Sequence, residues 1–147
     1  VCLIDEAYPP EELLMDAKKM KRICVFMNVF NVHVNRSPIS GLAENIVYKK
    51  GQFLNASLDK ASDKNERSSL IINSANGTKI VVVQIAGLIA RRILGFISLN
   101  HNLVQGERFG LIRFGSRVDI YMPLDAISKC KVGDKVTAGE SVLASFQ

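Results

Sequence analysis

The sequence predicts a mainly β protein: a single domain of short antiparallel strands with little helix. Three observations carry that expectation. Eight short runs rich in β-branched and aromatic residues are separated by turn residues. Asn76-Gly77 stands between two of them and signals a hairpin, because a type I′ turn needs positive φ at both central residues. The length of 147 residues is one domain's worth.

In chain order, the expected strands are 22–26 (RICVF), 32–35, 46–49, 68–72, 79–85, 108–114, 118–122 and 141–146. Residues 11–20 follow Pro9-Pro10 and predict a short amphipathic helical turn or two. Residues 58–67 are polar and charged, which predicts a loop. Two stretches, 37–54 and 131–146, echo each other by setting Gly beside polar residues between short apolar runs. The second resembles the turn-rich half of lipoyl and biotinyl carrier domains, which implies a barrel-sandwich-hybrid-like arrangement. In that arrangement Gly133-Asp134 and Ala138-Gly139-Glu140 form tight turns closing strand pairs.

Apolar residues make up 48% and charged residues 22%, which excludes a disordered, collagenous or coiled-coil chain. The net charge is +5, the pI is near 9.2 and the mean hydropathy is +0.14. The positive charge is uneven: residues 17–50 hold seven basic side chains and one acidic one, Glu44. Such a stretch favours an anionic partner, phospholipid or nucleic acid. Lys18, Lys19, Lys21 and Arg22, with Lys49 and Lys50, are the candidate contacts to an anionic bilayer. Phe26, Phe30 and Phe53 lie near basic residues, as a nucleic-acid barrel would require, but no recognition motif accompanies them. No nucleic-acid partner is therefore expected.

Cys2, Cys24 and Cys130 are too few and too irregularly spaced for a disulfide framework or a zinc knuckle, so a reducing compartment is expected. Two histidines without paired acids predict no metal site. The most apolar stretch, 80–90, is far shorter than the roughly 20 residues of a membrane-spanning helix. The first residue is Val and no signal peptide is visible, so the chain reads as a fragment whose natural N-terminus lies upstream.

Two segments carry chemistry. In RFGLIRFGSRVDIYMP (108–123), Gly115-Ser116 interrupts a strand pattern. Glycine there marks a bulge or a close backbone approach. It also sets a hydroxyl beside a carbonyl whose residue has no Cβ to shield it, so the Ser116 oxygen can attack the Gly115 carbonyl if a base and oxyanion donors assist. An inert structural bulge is the plain alternative. In FMNVFNVHVNRSPISG (26–41), His33 sits in an alternating apolar run. Histidine has the free pKa nearest neutrality, which suits a proton shuttle, although a satisfied structural histidine fits the same pattern. His101 reads as solvent-facing.

Taken in order, FNVHVNRSPISG, DKNERSS (63–69) and GERFGLIRFGSRVDIYMP resemble the short, archaeal and bacterial class of phosphatidylserine decarboxylases, archaetidylserine-decarboxylase-like enzymes included. The likeness continues into VGDKVTAGESVLA (132–144) and covers nearly the whole chain from about residue 22. The resemblance implies a pyruvoyl enzyme. Its proenzyme cuts itself between Gly115 and Ser116 by an N-to-O acyl shift and β-elimination, and the dehydroalanine that remains hydrolyses to an N-terminal pyruvoyl group with loss of ammonia. The products are a β chain of residues 1–115 and an α chain of residues 116–147, paired as a heterodimer. A higher oligomer is left open. The substrate's serine amine condenses with the pyruvoyl ketone, which takes up the electron pair left by departing carbon dioxide, and phosphatidylethanolamine is released.

By the same resemblance His33 transfers protons, and Arg67 and Arg36 are candidate headgroup contacts. Arg36 stands where longer members carry a second histidine, and an intrachain ion pair is an equal reading of Arg67. The family's Asp-Gly segment and hydrophobic membrane-tethering segment are absent from this chain. Asp119 is then the candidate substitute for orienting the maturation histidine. The implied location is the cytoplasmic side of the cell membrane, held peripherally. The rival reading is a lipoyl- or biotinyl-like carrier modified at Lys60, which lies in an Asp-Lys-Ala triplet.

Overall fold

A computed structural model of the chain describes residues 1–15, 18–27, 34–56, 64–87, 93–112 and 116–146. The strands are β1 (Leu3–Ala7), β2 (Met20–Met27), β3 (Val34–Arg36), β4 (Gly41–Lys49), β5 (Arg67–Asn73) and β6 (Lys79–Ile85). They continue with β7 (Ile93–Gly95), β8 (Asn102–Leu103), β9 (Arg108–Ile112), β10 (Ser116–Met122), β11 (Ile127–Ser128) and β12 (Ala144–Ser145). Seven form one antiparallel sheet in the order β1-β2-β10-β6-β5-β4-β8; β3-β9-β7 and β11-β12 form two smaller sheets. The mainly β, antiparallel expectation holds.

Period-two alternation divides the large sheet's side chains between two apolar layers. On one face Val118, Ile120 and Met122 of β10 pack with Ile23, Met27, Val82, Ile80, Leu70 and Ile72, under Phe109 and Ile112 from the small sheet. On the other, Tyr121 packs with Val81, Val83, Ile85, Ile71, Met20 and Leu13. β10 lies between β2 and β6, and all seven of its residues are buried. Each fully buried aliphatic side chain contributes roughly 1.5–3 kcal/mol, so both faces of this strand are strongly held.

Four local expectations need correction. The helical turn or two expected over 11–20 come down to one 3-10 turn, Glu11–Leu13, because Leu14 takes a left-handed φ of 53° that ends it, and Met20 already belongs to β2. The hairpin at Asn76-Gly77 is present, but only Gly77 has positive φ (+84°). Ser74 accepts from Gly77 N–H at 2.9 Å and itself donates to the Thr78 carbonyl at 2.9 Å, giving a three-residue loop and not a type I′ turn. The strand over 141–146 shrinks to β12, because among the described residues its only ladder partner is the two-residue β11. The echo between 37–54 and 131–146 has no structural counterpart: the first contains the nine-residue β4, the second mostly turns. The turns at Gly133 (φ +95°) and Gly139 (φ +79°) are nevertheless where the sequence puts them.

The basic stretch also divides. Arg22 is buried and bonded through two nitrogens to Asp5 at 2.8 and 2.7 Å. Lys21 donates to the Ala126 carbonyl. Lys18 and Lys19 precede the Met20 end of β2, whereas Lys49 is level with Arg67, Ile85 and Arg117 across the ladders, at the Met27 end. About 20 Å of strand separates the two groups, so they do not form one patch.

Candidate active site around Ser116

Ser116 opens the central strand β10 and has no solvent exposure. It pairs in register with Met27, and alternation places it on the face of Val118, Ile120 and Met122. That face borders a cavity of about 600 Å³. Val25, Met27, Val82, Val118 and Phe109 line its floor. Its polar wall comes from Asn35, Arg36, Ser37, Gln105 and the 137–141 turn. The segment after β11 thus covers the cavity and does not extend the sheet. A buried serine beside a pocket with an apolar floor and a polar wall suits an amphiphilic substrate.

The Asn65-Glu66-Arg67 run builds the frame around the start of β10. Asn65 is buried; its amide accepts from Leu54 N–H at 2.9 Å and donates to the carbonyls of Leu54 (2.8 Å) and Ala86 (2.7 Å). Ala86 follows Ile85, the partner of Arg117, so Asn65 ties the 51–56 loop to the edge of the Ser116 site. Gly51 permits that approach, since a Cβ there would lie 2.4 Å from the Lys64 carbonyl oxygen. Glu66 accepts from the Tyr48 hydroxyl. Arg67 is 4% exposed and bonds Glu12 through two nitrogens at 2.6 and 2.8 Å. That pairing holds the Glu12 carboxyl below its usual range.

On the face opposite Ser116, charge is buried. Arg117 bonds both carboxylate oxygens of Asp119, at 2.8 and 3.1 Å, and donates to the Ala56 carbonyl at 3.2 Å. Arg22 approaches the same carboxylate at 3.9 Å. Burial, with Asp119 adding to it, pushes the Cys24 thiol well up and leaves it protonated; burial does the same to the Tyr121 hydroxyl. Asp119 is therefore engaged by Arg117 across the sheet from the Ser116 hydroxyl. The expectation that it orients a histidine at Ser116 gives way, because residues three apart on a strand point to opposite faces.

The other sequence candidates separate by position. Arg36 lies at the cavity wall, donates to the Gly106 carbonyl at 2.9 Å, and packs where a Cβ on Gly139 would stand 2.8 Å from its Cδ. Arg67 lies on the face away from the cavity, with Ile85 and Arg117. His33, Gly115 and Lys60 lie outside the described residues; Val34, next to His33, lines the cavity. His101 is half-buried and bonds Glu107 at 2.7 Å. Sequence reading passed over Asn35, Gln84 and Arg117. A lone amide or guanidinium inside an apolar strand run was the available signal for each.

A family model for phosphatidylserine decarboxylase matches residues 3–144. The chain belongs to the phosphatidylserine decarboxylase family. A phosphatidylserine decarboxylase proenzyme from Ruegeria pomeroyi is 54% identical over 147 residues, which is all of this chain and 67% of that protein. No solved structure matches the chain significantly. The decarboxylase match spans both flanks of Ser116, the Asn65-Glu66-Arg67 frame and the cavity-covering 132–144 segment. It also spans Lys60, so the carrier reading draws no support from it.

Proposed function

We propose that this chain decarboxylates phosphatidylserine to phosphatidylethanolamine after cutting itself between Gly115 and Ser116, with Ser116 becoming a pyruvoyl group. The observation that carries the reading is Ser116 itself: a serine with no solvent exposure at the head of a central strand, on the face that borders the cavity, in a chain of this family.

In maturation the Ser116 oxygen attacks the Gly115 carbonyl carbon, and the amide C–N bond breaks to leave an ester. Loss of the Ser116 α-proton expels the Gly115 carboxylate. Water then replaces the nitrogen of the resulting dehydroalanine, releasing ammonia and leaving a ketone. The site suits such a group, since Ser116, whose α-carbon becomes the ketone carbon, is buried beside an apolar floor that limits competing water. The ketone supplies a carbonyl that holds the substrate amine and takes up the electrons left by carbon dioxide.

The chain's own residues do the rest. The cavity floor receives apolar parts of the lipid, and Arg36 at the polar wall pairs with the headgroup phosphate. His33, just before the cavity-lining Val34, moves the proton in maturation, decarboxylation or both. Arg67, fixed to Glu12, braces the frame and does not reach the lipid. β10 lies between two strands of the β chain, so the two products of cleavage remain one folded heterodimer. The protein works peripherally on the cytoplasmic side of the cell membrane, with Lys49 and Lys50 near the Ser116 end facing anionic lipid.

The test is turnover. Purified protein with phosphatidylserine in detergent micelles yields phosphatidylethanolamine, Ser116→Ala yields none, and borohydride in the presence of substrate abolishes activity. An active Ser116→Ala protein would contradict the proposal.

A further inference from the structure

We propose that Asn35 is a substrate-binding residue whose side-chain N–H donates to an anionic oxygen of the headgroup, with Gln84 as the positioning residue that holds it. The inference rests on the decarboxylase reading and deepens it.

Asn35 is 7% exposed and forms part of the cavity wall. Gln84, itself 3% exposed, donates from Nε2 to Asn35 Oδ1 at 2.8 Å. That bond decides which end of the Asn35 amide remains for a ligand: the donor end, Nδ2. Among the described residues Nδ2 has one contact, the Met27 sulfur at 3.8 Å. A thioether is a weak acceptor, and an amide nitrogen carries two N–H groups. A buried donor so poorly matched is costly until an oxygen reaches it. Met27 is the ladder partner of Ser116, which places this donor next to the reacting position.

Gln84 is locked in turn. It pairs with Val118, two residues along β10 from Ser116, and its amide lies against Gly110. A Cβ on Gly110 would stand 2.5 Å from Gln84 Nε2 and 2.8 Å from the Leu94 carbonyl oxygen, so only glycine leaves the amide where it is. Gly110, Gln84 and Asn35 thus form a rigid chain ending in a donor on a residue of the cavity wall. Phosphatidylserine brings two anionic groups, carboxylate and phosphate, and either offers the required oxygen.

The experiment compares Asn35→Asp, which keeps the shape and replaces the donor with an acceptor, and Asn35→Ala with the parent. Hydrogen bonds to charged groups imply a KM for phosphatidylserine raised on the order of tenfold to a hundredfold, with kcat changed far less. Gln84→Met, which frees Asn35 to rotate, raises KM by a smaller factor. Product inhibition assigns the oxygen. If phosphatidylethanolamine inhibition weakens in parallel, Asn35 faces the phosphate; if it is unchanged, Asn35 faces the carboxylate.

Binding of short-chain phosphatidylserine to Ser116→Ala, with and without Asn35→Asp, gives a readout independent of turnover. A tenfold loss there supports the site even if the parent proves inactive, which would count against the proposed function alone. KM and binding within twofold of the parent for both Asn35 variants would overturn the inference.

Discussion

Arg117 and Asp119, two residues apart on β10, close a doubly bonded ion pair at 2.8 and 3.1 Å with neither side chain exposed. Arg117 is the second residue after the proposed cleavage point and also reaches the Ala56 carbonyl. Once the 115–116 bond is cut, residue 116 becomes a chain end, and chain ends fray unless tied down. The pair anchors the new end from behind, across the sheet from the cavity. Breaking it by Asp119→Asn removes the carboxylate charge bonded to a buried guanidinium, at a cost of about 3–5 kcal/mol. Urea unfolding measures the loss, and replacing both partners with apolar residues restores most of it; additive losses in the double variant would contradict the pairing.

The Glu12–Arg67 bond makes stability depend on pH. Folding lowers the Glu12 pKa from its ordinary 4.5, so the stabilisation is present above that value and is lost as pH falls through the depressed folded value. Glu12→Gln is expected to lower the unfolding midpoint at neutral pH and to flatten its acid limb. An acid limb as steep as the parent's would assign the effect to other carboxyls.

The two arginines singled out in the sequence should behave differently. Arg36→Met acts on the lipid: KM rises several-fold and becomes less sensitive to salt, while the melting temperature stays put. Arg67→Met acts on the fold, leaving Glu12 unpaired and lowering the melting temperature by several degrees. Equal effects on KM at matched folded fraction would reverse the assignment of Arg67 to the frame.

For His33, a placed acid or base is worth roughly 10²–10⁴ in rate. His33→Ala should slow the appearance of the α chain, the decarboxylation rate or both by that factor, followed by quench-and-gel for the first and carbon dioxide release for the second. Parent rates in both steps would remove His33 from the chemistry.

The sheet was legible because its strands are written in runs of β-branched residues: β6 runs Lys79–Ile85, as its sequence pattern predicts. The start of β10 was less so. The sequence puts the strand at 118, but Ser116 and Arg117 join it because Met27 and Phe26 are there to pair with them, a fact of tertiary register. Arg22 read as surface charge for the same reason: nothing local shows that Asp5 on the neighbouring strand will face it. The pairing of Arg67 with Glu12, 55 residues earlier, is equally invisible in one dimension. Arg117-x-Asp119 and the lone amides Asn35 and Gln84 were legible in principle, since i and i+2 on a strand share a face and an amide in an apolar run must find a partner.

Intact-mass analysis under denaturing conditions bears most directly on the central claim. Protein incubated to completion should resolve into two chains, residues 1–115 and a 32-residue 116–147 with a blocked terminus that borohydride alters, while Ser116→Ala stays whole at 147 residues. A fully active preparation consisting of one uncut chain, with no reducible carbonyl, would contradict the account.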